Sequence, residues 1–160
     1  MYVGHHQTVL DDKGRITIPR KFRDDMIRND HITWHMTRGY DANIVAYNRE
    51  AWAALMSRLE RLEAMDPRVQ DLIRLTLGNA AQVRLDGQGR MAVPTHLRQL
   101  GGIEKEVVLV GLKDRLELWS KEAWDAYEAS NAPQLKVLVT ELFVRGEPTD
   151  QEKGGPRDAN

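Results

Sequence analysis

The chain contains no cysteine, which excludes disulfides and thiolate metal sites and fits a reducing compartment. No apolar run approaches the roughly 18 residues that a membrane-spanning helix needs. The opening Met1-Tyr2-Val3-Gly4-His5-His6 lacks the charged-then-apolar pattern of a secretory signal. A cytoplasmic location and no membrane partner are the expectation. Aromatic residues make up only 6% of the chain, too few to favour the exposed stacking platform that unpaired RNA bases require. The sequence shows no nucleophile beside a base, no phosphate-cradling glycine loop and no partnered carboxylate pair. An enzyme, a cofactor and a small-molecule substrate are therefore not expected. Nor is a metal: His5 and His6 point to opposite faces if extended, and nothing nearby completes a ligand set.

Excess charge of one sign is also missing. The net charge is −1 over 160 residues, so any affinity for nucleic acid must come from local charge. That charge is unevenly placed. Between Leu10 and Arg23 five bases (Lys13, Arg15, Arg20, Lys21, Arg23) face two acids (Asp11, Asp12), whereas the last fourteen residues carry four acids and two bases.

What is present is an internal repeat. Leu10–Arg23, LDDKGRITIPRKFR, aligns without gaps to Leu85–Arg98, LDGQGRMAVPTHLR, at an offset of 75 with six of fourteen positions identical. The pairs Ile16/Met91, Ile18/Val93 and Phe22/Leu97 keep apolar side chains in register. A second match sets Tyr47-Asn48-Arg49-Glu50-Ala51-Trp52 against Trp119-Ser120-Lys121-Glu122-Ala123-Trp124 at an offset of 72. A weaker one sets Pro67 and Gly78 against Pro133 and Gly146. Up to Gly146 the chain is two copies of one unit.

Each copy opens with an extended stretch, Thr8 to Leu10 or Gln82 to Leu85, that enters a tight turn. There Asp11 or Asp86 can bond the backbone two residues on, and Gly14 or Gly89 can take positive φ. Strand-forming residues follow (Ile16-Thr17-Ile18; Met91-Ala92-Val93), and Pro19 or Pro94 ends the ladder because it has no N–H. The pattern predicts a β-hairpin with an arginine at its base. A short helix is then expected over Arg20 to Ile27 and Thr95 to Leu100, and strands over Ile32 to Met36 and Glu106 to Val110. Asn48 and Ser120 suit helix N-caps, with Trp52, Leu55, Met56, Leu59 and Leu62 at helical spacing. Trp52 and Trp124, at the start of apolar stripes, read as packing residues rather than base-stacking platforms. Asp66-Pro67 restarts a helix that Gly78 closes, and Gly101-Gly102 is a helix stop. Leu135, Val137, Leu138, Val139, Leu142 and Phe143 form an apolar segment too broad for one stripe.

The expected organisation is a first module over 5–52, a helical connector over 53–80, a second module over 81–124, C-terminal helices over 125–146 and a polar disordered tail over 147–160. The expected class is mainly β with α (α+β), a pseudo-two-fold pair of β-β-β-α-α units.

With Asp11-x-x-x-Arg15 and Asp86-x-x-x-Arg90 each in a turn followed by a Pro-ended strand, the chain resembles the MraZ family, whose members carry two such motifs. Gly4-His5-His6, the LDDKGRITIP and LDGQGRMAVP segments and Val107-Val108-Leu109-Val110-Gly111 carry the likeness, over roughly residues 2 to 130. Val3 stands where typical members have a basic residue. The resemblance implies a SpoVT/AbrB swapped-hairpin β-barrel, a homo-oligomeric ring, and a transcriptional regulator bound to short repeats in the promoter of the division and cell-wall gene cluster.

An arginine at a hairpin base can present its planar fork to phosphate or to guanine, which makes Arg15 and Arg90 the first candidates for double-stranded DNA. Lys13, Arg20, Lys21 and Arg23 would add charge in the first copy, and Arg84 and Arg98 in the second. Asp11 and Asp86 accept hydrogen bonds only, so orienting the turn or its arginine is their expected role. The rival expectation is an AbrB-type protein-interaction module, an antitoxin or scaffold that captures a partner on the Leu135–Phe143 segment. An exposed segment would favour it.

Overall fold

The computed structural model describes residues 1–144, so Gly146 and the expected tail over 147–160 lie outside the described residues. The first repeat runs β1 (Tyr2–Val9), β2 (Arg15–Thr17), α1 (Arg20–Arg28), β3 (Thr33–Arg38) and β4 (Ile44–Tyr47), then α2 (Arg49–Glu60) and α3 (Pro67–Leu77). The second runs β5 (Ala81–Arg84), β6 (Arg90–Ala92), α4 (Thr95–Leu100), β7 (Glu106–Lys113) and β8 (Arg115–Ser120), then α5 (Lys121–Asn131). Each repeat therefore has one strand more than the expected β-β-β-α-α unit, β4 or β8. In β8, Leu116 and Leu118 are buried while Arg115 and Glu117 alternate with them on the other face.

Contacts divide the chain into two compact units, Met1–Trp124 and the part from Asp125 onward. In the first unit six antiparallel strands form one sheet in the order β1-β7-β8-β4-β3-β5, and β2 pairs with β6 in a separate two-stranded ribbon. Exchanging equivalent strands between repeats turns this order into its own reverse, so a pseudo-two-fold axis passes between β4 and β8. The first strand of each repeat lies beside the third strand of the other. The class is α+β, mainly antiparallel β and AbrB-like with flanking helices. The sheet does not close into a barrel: its edges are β1 and β5.

The expected local hairpins are reduced to single bridges, Leu10↔Ile16 and Leu85↔Met91. Residues beyond each turn pair across the repeats instead, with Arg15 opposite Ala92, Ile16 opposite Met91 and Thr17 opposite Arg90. The apolar pattern explains the exchange. Leu10, Ile16, Ile18 and Phe22 and their counterparts Leu85, Met91, Val93 and Leu97 are all buried in one cluster with Trp34, Met36 and Leu109. Neither repeat alone could cover these faces, and burying each such side chain contributes about 1.5–3 kcal/mol.

The helices begin where their caps place them. Asn48 Oδ1 accepts from the Ala51 N–H at 2.8 Å, Ser120 Oγ from the Ala123 N–H at 3.1 Å, and Asp66 caps α3 ahead of Pro67. The expected α2 stripe is only partly covered: Leu59 is buried, Trp52, Leu55 and Met56 are half-buried, and Leu62 is exposed. Trp52 stacks on His35 with ring centroids 4.6 Å apart, and Trp124 lies 5.5 Å from Trp119. Both tryptophans are packed on aromatic neighbours.

In the second unit α5 ends at Asn131, a 3-10 turn spans Ala132–Gln134, and α6 (Leu135–Val139) runs into a π-helical turn over Thr140–Val144. Pro133 sits in the break, as a residue without an N–H should. Leu135, Val137, Leu138, Val139, Leu142, Phe143 and Val144 are all exposed.

Candidate nucleic-acid interface

The two turns are built alike. Asp11 Oδ1 accepts from the backbone N–H groups of Lys13 and Arg15, each at 2.9 Å, and Oδ2 accepts from Arg15 Nε at 2.9 Å. Asp86 does the same for Gln88 and Arg90, also at 2.9 Å throughout. One carboxylate thus closes the turn and fixes the arginine beyond it. The Arg15 N–H holds the Asp11 carboxyl below its ordinary range, helped by the Arg15 guanidinium and the Lys13 N–H; Arg90 and Gln88 act in the same way on Asp86. Gly14 and Gly89 complete the turns at φ +75 and +76, a conformation costly for any residue with a Cβ.

The ribbon sets the direction of the arginines. Because Ile16 and Met91 enter the core, their neighbours Arg15, Thr17, Arg90 and Ala92 occupy the opposite, outer face. In this register Arg15 and Arg90 are diagonal neighbours, about 7–8 Å apart by ordinary antiparallel geometry. Each ion pair engages Nε, the inner edge of the guanidinium. The outer edge has the planar donor geometry that phosphate or a guanine edge accepts.

The remaining candidates lie in the first turn, on α1 and α4, and at the end of β5. Lys13 is exposed at the tip of the first turn, and Arg20 and Lys21 are exposed at the start of α1. That helix has no acidic residue in its first turn, so the two cations add to the positive end of its dipole. The second copy has Gln88, Thr95 and His96 at the matching places, and His96 Nε2 lies 2.9 Å from the Asn79 carbonyl. Arg84 is exposed on the edge strand β5. Arg23 and Arg98 are half-buried, each against the opposite turn. Thr17, exposed and directly opposite Arg90, was not singled out by the sequence, because its neighbour comes from the other repeat.

Among the described residues no group of three His, Cys, Asp or Glu side chains could hold a metal ion, and no helix is long and apolar enough to cross a membrane.

A family model described as "MraZ protein, putative antitoxin-like" matches residues 1–74 and 76–144. The chain belongs to the MraZ family. Curated relatives of this chain carry the name Transcriptional regulator MraZ. The protein of Acetivibrio thermocellus is 32% identical over 146 residues, covering 91% of this chain and 99% of that protein. The Clostridium beijerinckii protein is 37% identical over 131 residues (82% and 89%), and that of Lactiplantibacillus plantarum 36% over 143 residues (89% and 99%). The two segments matched to the MraZ family meet at residue 75, the offset at which the Asp-x-x-x-Arg motif recurs.

Proposed function

We propose that this chain is a sequence-specific DNA-binding transcriptional regulator that represses the division and cell-wall gene cluster, its own promoter included. In this reading it works in the cytoplasm on the nucleoid, as a homo-oligomeric ring whose Asp-x-x-x-Arg turns engage short direct repeats in double-stranded DNA. The observation that carries the reading is the ribbon: two turns, each closed by an aspartate, put Arg15 and Arg90 on one outward face. Lys13, Arg20, Lys21 and Arg84 supply the surrounding charge, and Arg23 and Arg98 stand against the turns. Asp11 and Asp86 orient the turns. The names of the relatives support regulation of transcription.

One protomer has few cations to set against phosphates, and single-site binding should be weak. Several modules on a rigid assembly gain avidity on the order of 10² or more when the DNA repeats match their spacing. The two turns differ in side chains, Asp12 and Lys13 in the first against Gly87 and Gln88 in the second, so the bound site has a direction and direct repeats suit it. The partly open stripe of α2 and the exposed Leu135–Val144 segment are surfaces that neighbouring copies would cover.

The test is fluorescence anisotropy on the chain's own upstream DNA, with intact or scrambled repeats, at two salt concentrations. Tight, repeat-dependent and salt-sensitive binding that Arg15→Ala abolishes is the expected result. Equal, weak binding in every combination would remove the regulator reading.

The exposure of Leu135, Leu142 and Phe143 favours a second reading, an AbrB-type protein-interaction module with secondary DNA binding, as antitoxin or scaffold. The family description points the same way. If removing residues 135–144 leaves the oligomer intact but abolishes capture of a partner, this second reading takes first place.

A further inference from the structure

Arg23 and Arg98 occupy equivalent places in the two repeats, 75 residues apart, and each reaches the turn of the other. A Cβ built on Gly14 would lie 2.9 Å from both Cζ and Nη1 of Arg98 and 3.1 Å from Nη2. One built on Gly89 would lie 2.5 Å from Nη1 and 2.6 Å from Cδ of Arg23. Each guanidinium therefore fills the space that the glycine's missing side chain leaves open. The same two glycines are held by the opposite repeat through their carbonyls. Gly89 C=O accepts from the Ile18 N–H and Gly14 C=O from the Val93 N–H, both at 2.8 Å.

Arg98 is itself anchored. Its Nη2 donates to Thr95 Oγ1 at 2.8 Å, and its Nε is buried with no hydrogen-bond partner among the described residues. A buried Nε without an acceptor fits a guanidinium lying flat on the turn better than one bonded through its edge.

We infer that Arg23 and Arg98 are positioning residues that clamp the opposite repeat's turn glycine, so that each Asp-x-x-x-Arg turn is completed by the other copy. The functional meaning rests on the DNA reading above. Within that reading, Arg98 acts through Lys13 and Arg15, and Arg23 through Gln88 and Arg90. The role suits arginine in particular, because a planar delocalised cation can lie on a peptide while a lysine ammonium is a compact point charge. A single repeat, lacking the other's arginine and backbone donor, could not hold its turn in this form.

Two readouts on the full chain separate positioning from phosphate contact. Amide hydrogen exchange without DNA should show residues 11–15 exchanging on the order of tenfold faster in Arg98→Ala, and residues 86–90 in Arg23→Ala. Arg98→Lys should resemble Arg98→Ala, and Arg20→Ala should leave both turns at the wild-type rate. On the upstream promoter DNA, affinity should fall on the order of tenfold in Arg98→Ala and Arg98→Lys, while the slope of log K against log salt stays that of the wild type. Wild-type exchange in both turns, or a slope reduced by about 0.9 per engaged protomer, would overturn the inference and make these arginines phosphate contacts. If the wild type ignores repeat DNA, the regulator reading fails, and the exchange measurement still decides whether the clamp exists. If Arg98→Ala does not fold, Arg98→Lys carries both measurements.

Discussion

Asp11 and Arg15 are joined twice: the aspartate accepts from the arginine's backbone N–H and from its Nε, both at 2.9 Å. The backbone bond sets the turn, and the side-chain bond sets the plane of the guanidinium. Asp11→Asn keeps one acceptor oxygen and removes the charge, so the turn should survive with a less well-held Arg15. The expected result in a DNA titration is an affinity loss on the order of tenfold with an unchanged circular dichroism spectrum. Wild-type affinity in this variant would show that the pair plays no part in binding.

The same carboxylates make stability depend on acid. Asp11 and Asp86 both titrate below the usual carboxylate range in the fold. In the unfolded chain they return to about 3.9. A depressed folded value means that the unfolded state takes up protons first. Their stabilisation is fully present above about pH 4 and is lost as the pH falls through the folded values. Thermal melts should therefore drop below pH 4, and Asp11→Asn/Asp86→Asn should flatten that part of the profile while leaving the pH 6–8 region level. A double variant with the wild-type acid slope would refute the assignment.

Two glycines two residues apart in the second turn should respond oppositely. Gly89 has φ +76 and its Cβ would meet Arg23, so Gly89→Ala should cost about 1–2 kcal/mol in urea denaturation. Gly87 has open space where a Cβ would stand, and Gly87→Ala should leave stability unchanged or raise it by about 0.4–1 kcal/mol. Equal effects at the two positions would mean that neither the backbone conformation nor the arginine matters there.

Much of this architecture is legible in the chain, because the repeat places the same residue types under the same local rules. Pro19 and Pro94, Asn48 and Ser120, and Gly14 and Gly89 each mark a boundary or turn by chemistry that acts within a few residues. The helices α1 and α4 fall where the spacing puts them. Strand β8 is written as an alternation, Leu116 and Leu118 against Arg115 and Glu117, that is easily overlooked behind the stronger run in β7. The pairing of β2 with β6 is different in kind. Ile16 meets Met91 across 75 residues, and no local pattern distinguishes that partner from Leu10. The placement of Arg23 over Gly89 depends on that exchange, so a basic residue on a short helix gave no sign of it.

The two turns share a backbone but differ at two exposed positions, Asp12 and Lys13 in the first against Gly87 and Gln88 in the second, where the N–H of Lys13 and that of Gln88 each bond the turn's aspartate at 2.9 Å. A lysine offers a charge to phosphate. A glutamine offers a donor and an acceptor, the pair that an adenine edge matches. Lys13→Ala should therefore weaken binding to all sequences alike and reduce the salt slope by about 0.9 per engaged protomer. Gln88→Ala should keep the slope and narrow the gap between intact and scrambled repeats. Binding isotherms at several salt concentrations on both DNAs separate the outcomes. If both variants shift the slope equally, the two turns are interchangeable anchors, and the directional asymmetry that makes direct repeats the natural site loses its basis.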